Sequence, residues 1–263
     1  MTDAVLTEHI GHTLLVTINR PGAANSIDAE VHRLLGEAWE LARATDLVRA
    51  VVLTGSGSST FCAGADLKAL GRGGMDAITP PETAHWGFAG VVRHPILKPI
   101  ICAVNGNALG GGTELALAGD LVVAADTATF GLPEVRRGLI AGAGGVFRLA
   151  SAIPRAVAME LILTGTPLTA PDALRWGLVN RIVPAADVLS AALELAQSIA
   201  ECAPLAVQAS KGVALGIVDG AVPSEELAWD LTEAALTRLA TSSDTLEGIM
   251  AFMEKRAPIW AGK

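Results

Sequence analysis

The stretch IICAVN (Ile100–Asn105), running without a break into GNALGGGTELALAGD (Gly106–Asp120), decides how the chain is built. Its first six residues are apolar, partly β-branched and closed by an asparagine, the signature of a short buried strand. A glycine-rich turn follows, and the pattern then becomes helical over Leu115–Ala118. From Pro99 to Gly119 the only formal charge is Glu114. That length would cross a bilayer. Asn105, Asn107 and the glycines instead divide it into strand, tight loop and helix, so a transmembrane segment is rejected. What remains is a single carboxylate in an uncharged, buried-looking βα junction.

Working outward, similar short runs occur at Thr13–Asn19, Arg49–Thr54, Leu121–Ala125 and Arg181–Val183. Between the first two lies a helical pattern from Asp28 to about Ala44, with Val31, Leu34, Leu35, Ala38, Trp39 and Leu41 on one broad face. Strands alternating with helices predict βα units and a largely parallel sheet buried on both faces. Thr79-Pro80-Pro81-Glu82 and Thr169-Ala170-Pro171-Asp172 both have capping-box form and announce later helices. Strand signals stop near Val183. From about Asp187 the pattern is helical, with breaks at Pro204, Pro223 and near Thr241–Ser243. The expected division is a β-rich core over residues 1–195 and a helical region over 196–263.

The 263-residue chain is 51% hydrophobic, much of it alanine, with only five Trp and five Phe and no Tyr. Tyrosine chemistry is thereby excluded. A formal net charge of −8 argues against nucleic-acid or anionic-membrane binding, which need a basic surface. It leaves room for an anionic small ligand held by local donors. Cys62, Cys102 and Cys202 show no metal-ligand spacing and read as reduced, buried thiols of a cytoplasmic protein, with no metal site. Met1-Thr2-Asp3-Ala4 lacks the charged and apolar regions of a secretory signal.

Three glycine-rich segments carry the chemical information. They are Thr54–Leu67 (TGSGSSTFCAGADL), Asn105–Glu114, and Phe130–Gly138 (FGLPEVRRG) continued by Ala141–Gly145 (AGAGG). Glycine lets a ligand approach the main chain without meeting a Cβ. Before a helix, such a loop also offers N–H groups with no internal acceptor, suited to an anion or a developing oxyanion. A tight turn with nothing bound has the same composition. No Gly-Lys-Ser/Thr closes any of these loops, and Gly55-Ser56-Gly57-Ser58-Ser59-Thr60 lacks the last glycine of a dinucleotide fingerprint. No Gly-x-Ser-x-Gly elbow is present, which disfavours an α/β-hydrolase. All five histidines precede residue 95, and only His85 reads as a pocket-lining group.

The combination FCAGADL (Phe61–Leu67), NGNALGGGTELALAGD (Asn105–Asp120) and FGLPEV…G…GAGG (Phe130–Gly145) resembles the crotonase, or enoyl-CoA hydratase/isomerase, superfamily. The likeness extends from INRP (Ile18–Pro21) and Asn25, through WGLVN (Trp176–Asn180), to FMEKR (Phe252–Arg256). The resemblance implies an α/β spiral of ββα turns with two roughly perpendicular sheets and a C-terminal helical region for trimerisation, in a homotrimer or homohexamer. It implies that a thioester carbonyl sits between the N–H groups of Ala65 and Gly111. CoA would lie along Arg20, Ala24, Ala63, Ala65, Asp66, Leu67 and Lys68, with Phe252 and Lys255 reaching a neighbouring subunit's CoA. CoA would arrive on the substrate, with no separate cofactor. Glu114 and Glu134 would be the acid/base pair. Without the family, Glu114 reads as a capping carboxylate at a helix start and Glu134 as a surface residue after Pro133.

Members that hydrate an enoyl-CoA resemble this chain in holding glutamate at both positions, whereas many isomerases keep only the later one. The doublet therefore favours reversible hydration of a trans-2-enoyl-CoA. Carnitinyl-CoA-type dehydration, Δ3-Δ2 isomerisation and a weakly catalytic acyl-CoA-binding protein are the alternatives, and RNA binding is disfavoured by the charge. Gly22 stands where many hydratases place a lysine towards CoA. Arg136 and Arg137 are read either as recognising a carboxylated acyl chain or as solvent-facing arginines. Leu70–Val92 carries no readable signal for acyl length.

Overall fold

A computed structural model describes residues 3–263, so Met1 and Thr2 of the N-terminal stretch lie outside the described residues. The chain opens with β1 (Val5–Ile10) and β2 (Thr13–Ile18), an antiparallel hairpin, then α1 (Ala29–Ala44). Three units of one design follow. The first runs β3 (Ala50–Gly55), β4 (Thr60–Cys62), α2 (Leu67–Gly73). The second runs β5 (Ile100–Val104), β6 (Asn107–Leu109), α3 (Gly111–Ala118). The third runs β7 (Leu121–Ala125), β8 (Thr129–Gly131) and a 3-10 turn (Pro133–Arg137), followed by α4 (Gly145–Ala152) and α5 (Arg155–Thr164).

In every unit the longer strand joins one sheet and the shorter strand the other. After β9 (Leu168–Thr169), α6 (Ala170–Trp176) and β10 (Arg181–Val183), the large sheet has the order β1-β2-β3-β5-β7-β10 and the small one β4-β6-β8-β9. Among the described residues only the β1–β2 and β8–β9 strand pairs are antiparallel. The expected spiral of ββα turns is the one observed. β1 and the two- or three-residue strands of the small sheet were not read from the sequence.

Asp28 caps α1 by accepting the Val31 N–H, and the Thr169 hydroxyl oxygen caps α6 by accepting the Asp172 N–H. Two expectations are corrected. Leu41 is exposed, and His32 and Gly36 fill the buried face of α1, Gly36 because a Cβ there would collide with the Trp86 ring. Thr79 caps nothing: the segment Pro81–Trp86 is a 3-10 helix whose cap position falls on Pro80, a residue with no side-chain oxygen to offer.

α7 (Val188–Ala200) packs on β3, β5 and β7 through buried Ala192, Ala196 and Ala200. A division at 195 therefore cuts a core helix, and the chain leaves the core at the Pro204 break. α8 (Pro204–Leu215), α9 (Glu226–Ala240) and α10 (Ser243–Met253) form the helical region. Among the described residues no single helix is long and apolar enough to cross a membrane. Cys62 and Cys102 are buried, whereas Cys202, past the end of α7, is exposed, contrary to expectation.

A half-buried ion pair helps tie the helical region to the core. Lys211 of α8 donates from Nζ to Asp120 Oδ2 at 2.6 Å and to the Lys98 carbonyl at 3.0 Å, while Asp120 Oδ2 also accepts the Ile100 N–H. Removing the cation strands a poorly solvated carboxylate. Lys211→Met is expected to cost about 3 kcal/mol in chemical denaturation, with part recovered in Lys211→Met/Asp120→Asn. A loss unchanged by the second substitution contradicts the pairing.

Candidate functional site

Two strand-to-helix junctions meet at the small sheet. A parallel bridge joins Ile27 to Ala65: the Ile27 N–H donates to the Gly64 carbonyl and the Asp66 N–H to the Ile27 carbonyl. This register turns the Ala65 N–H away from Ile27. On the facing junction, Gly110 donates to the Gly131 carbonyl, and Gly111 begins α3, where an N–H has no intrahelical acceptor. Among the described residues neither the Ala65 nor the Gly111 N–H has an acceptor. Gly64 adopts φ +87°, and a Cβ there would lie 2.9 Å from the Gly111 nitrogen, so the two junctions are in backbone contact. A Cβ at Gly112 would sit 1.9 Å from the Cys62 carbonyl oxygen. The Phe88 ring packs directly against Gly111.

Glu114, in the first turn of α3, is 3% exposed. It does not cap its own helix. Its Oε1 accepts the N–H groups of Ala143 at 2.7 Å and Gly145 at 2.8 Å, the amino end of α4. Burial pushes its carboxyl up to about 7, and the charge of Glu134 adds to that. The two N–H bonds and Arg148 pull the other way and do not win. Glu134 stands on the Pro133–Arg137 turn with Oε1 against Gly110, where a Cβ would meet it at 2.8 Å. Its Oε2 is buried without a hydrogen-bond partner. Burial raises this carboxyl to about 7 as well, against its backbone bond and the pull of Arg137. The two glutamates are thus brought together with the two free N–H groups. Such a set can hold charge developing on one oxygen and pass protons near neutral pH.

The remaining expected residues divide into two groups. Ala24, at φ 51°, accepts the Ala63 N–H, which aligns the two proposed CoA segments. Asp66 caps α2 through the N–H groups of Lys68 and Ala69. Burial favours its neutral form, but the Arg20 bond and those N–H groups hold its carboxyl below the usual range. Arg20 spans Asp66 at 2.9 Å and Asp28 at 3.0 Å, so its guanidinium already serves two carboxylates. Ala63, Leu67 and Lys68 are exposed beside this staple. Phe252 and Lys255 lie elsewhere, at the end of α10, with the Arg137 guanidinium 3.6 Å over the Phe252 ring.

Other expectations fail. His85 is exposed and packs on Trp86 rather than lining the site. Arg136 turns away to Thr164 and Thr166 on the exposed surface, the solvent-facing alternative, while the Arg137 guanidinium stacks on the Phe252 ring. Phe88 and the N–H groups of Ala143 and Gly145 were missed, being joined to the site only through long-range packing. The cleft next to Glu134 is a cavity of about 490 Å³.

The ionisation shifts carry a stability consequence. The carboxyls titrate near 4.5 when unfolded and near 7 when folded, so between those pH values the folded chain binds more protons. Stability therefore falls as pH rises through that window. Glu114→Gln removes one buried charge and is expected to gain about 1–3 kcal/mol over wild type at pH 8 relative to pH 5, read from denaturation at both pH values. A pH-independent difference contradicts the assignment.

Comparison with known proteins identifies the family. The sequence description of the family "Enoyl-CoA hydratase/isomerase" matches residues 10–263. A carnitinyl-CoA dehydratase of Salmonella typhi is 40% identical, with all of both chains covered. Among solved structures, a carnitinyl-CoA hydratase from Mycobacterium avium is 54% identical with a TM-score of 0.97. An enoyl-CoA hydratase from Mycobacterium tuberculosis H37Rv is 42% identical with a TM-score of 0.76, each covering all of both chains. The chain belongs to the enoyl-CoA hydratase/isomerase family, with the crotonase fold.

Proposed function

We propose that this family member catalyses the reversible loss of water from a 3-hydroxyacyl-CoA to give a trans-2-enoyl-CoA, using Glu114 and Glu134 as proton carriers. The carrying observation is the pair of buried carboxyls, both raised to about 7, against a junction with two unpaired N–H groups. Glu134 touches Gly110, one residue from the Gly111 donor, so it is the carboxylate nearest the carbon next to a bound carbonyl. In the dehydrating direction ionised Glu134 takes the C2 proton. The electron pair moves to the thioester oxygen, held by Ala65 and Gly111. Protonated Glu114 then gives its proton to the C3 hydroxyl, the C–O bond breaks, and water leaves. Hydration reverses each transfer. One donor of such a pair contributes about 3–4 kcal/mol of barrier lowering in comparable sites.

CoA is proposed to lie along Ala24, Ala63 and Leu67, with the exposed Lys68 ammonium towards a phosphate, and with Phe252 and Lys255 offered to a neighbouring subunit. The relatives named for carnitinyl-CoA favour an acyl group ending in trimethylammonium over a plain alkyl chain. Their reaction is the same elimination.

Each of Glu114→Gln and Glu134→Gln is expected to lower kcat about a hundredfold or more in a spectrophotometric enoyl-CoA assay. Wild-type kcat should be bell-shaped in pH around 7, since acid protonates the base and alkali strips the acid. Wild-type rates in either variant would sink the assigned roles.

The oligomer is part of the proposal. α8 buries no residue, and Leu205, Val213 (85% exposed), Leu227 and Leu231 face outward from the helical region. Light scattering is expected to give three or six chain masses, and a monomer contradicts it.

A further inference from the structure

The cavity beside Glu134 is walled in part by the segment that follows α10. Leu132, Ala141, Ile162 and Leu239 make it apolar, and Glu134, Asp244 and Trp260 complete its chemistry. Among the described residues no lysine or arginine lines it. Trp260 belongs to the last five residues, which fold back along α10 as a strap. The Ile259 N–H donates to Glu247 Oε1 at 2.7 Å. The Ala261 and Gly262 N–H groups donate to the two Asp244 carboxylate oxygens at 2.6 and 3.0 Å. The Lys263 carbonyl accepts the Ser243 N–H and hydroxyl, each at 2.8 Å. Bonds on both sides of residue 260 thus fix its backbone and hold the indole, 45% exposed, on the cavity. The same helix grips the Glu134 turn: the Thr245 hydroxyl donates to the Gly138 carbonyl, and Gly248 packs on the Arg137 carbonyl.

We propose that Trp260, held by this strap, is the specificity-determining wall of the acyl cavity and recognises a quaternary ammonium at the far end of the acyl group. The inference rests on the hydration reading above. A ring face attracts a quaternary cation that can donate no hydrogen bond, and an apolar lining suits its methyl groups. Asp244 and Glu134 add negative potential at the cavity wall, opposed in part by the Arg137 charge that reaches Glu134 from outside the lining. A carboxylated chain meets the opposite field, and a plain alkyl chain gains nothing from the charge.

The test is steady-state kinetics with crotonyl-CoA and its trimethylammonium-bearing counterpart, on wild type, Trp260→Leu and Trp260→Phe. Leucine keeps an apolar wall and removes the π face. Wild type should prefer the cationic substrate. Trp260→Leu should lower kcat/KM for that substrate, through KM, about three- to thirty-fold more than it lowers that for crotonyl-CoA. Phenylalanine should fall between. Preference of wild type for crotonyl-CoA, or an equal loss for both substrates in Trp260→Leu, overturns the inference and leaves the hydration reading standing. Failure of wild type to hydrate either substrate contradicts the hydration reading itself, and the inference falls with it.

Discussion

The backbone of Cys62–Ala65 pressing on that of Gly110–Gly112 is the constraint on which the site depends. No side chain fits between them: a Cβ at Gly64 would press on the Gly111 nitrogen, and one at Gly112 would enter the Cys62 carbonyl. The contact follows from the spiral, because each unit sends its short strand to the small sheet and then turns into a helix from the same edge. Parallel pairing of β4 with β6 brings two such turns side by side. Each leaves one N–H that its own register does not use. A pair of main-chain donors so placed needs no reorganisation to meet a charged oxygen.

The same packing makes the carboxylates costly and useful together. Glu114 is buried at the base of α3 and is bound by the amino end of α4, so one helix supplies the carboxylate and another its ligands. Those bonds favour the ionised form, yet burial dominates and the carboxyl titrates near neutrality. Glu134 arrives from a 3-10 turn held by α10 through Thr245, Gly248 and the Arg137–Phe252 stack. The helical region thus shapes the site within its own chain as well as offering apolar faces outward.

Much of this was legible in the sequence, and the limits have physical causes. The inner strands of the large sheet are β-branched runs of five or six residues buried on both faces, which makes them visible. β1 is hidden because all but its first residue are exposed along the sheet edge, and β4, β6, β8 and β9 are too short to show a period. Glu114 announces itself as the one charge in an apolar stretch. Glu134 does not, since it sits in a local run of arginines and only the family motif singles it out. The Ala143 and Gly145 donors, the Phe88 ring and the Trp260 wall come from distant segments through packing alone.

The central claim is that Glu134 moves the C2 proton while the Ala65 and Gly111 N–H groups hold the thioester oxygen. Deuterium exchange at C2 of butyryl-CoA, followed by proton NMR in heavy water, isolates that step because the saturated chain cannot be hydrated. The account predicts exchange by wild type and by Glu114→Gln, and none above background by Glu134→Gln. Exchange that survives in Glu134→Gln and disappears in Glu114→Gln would contradict it.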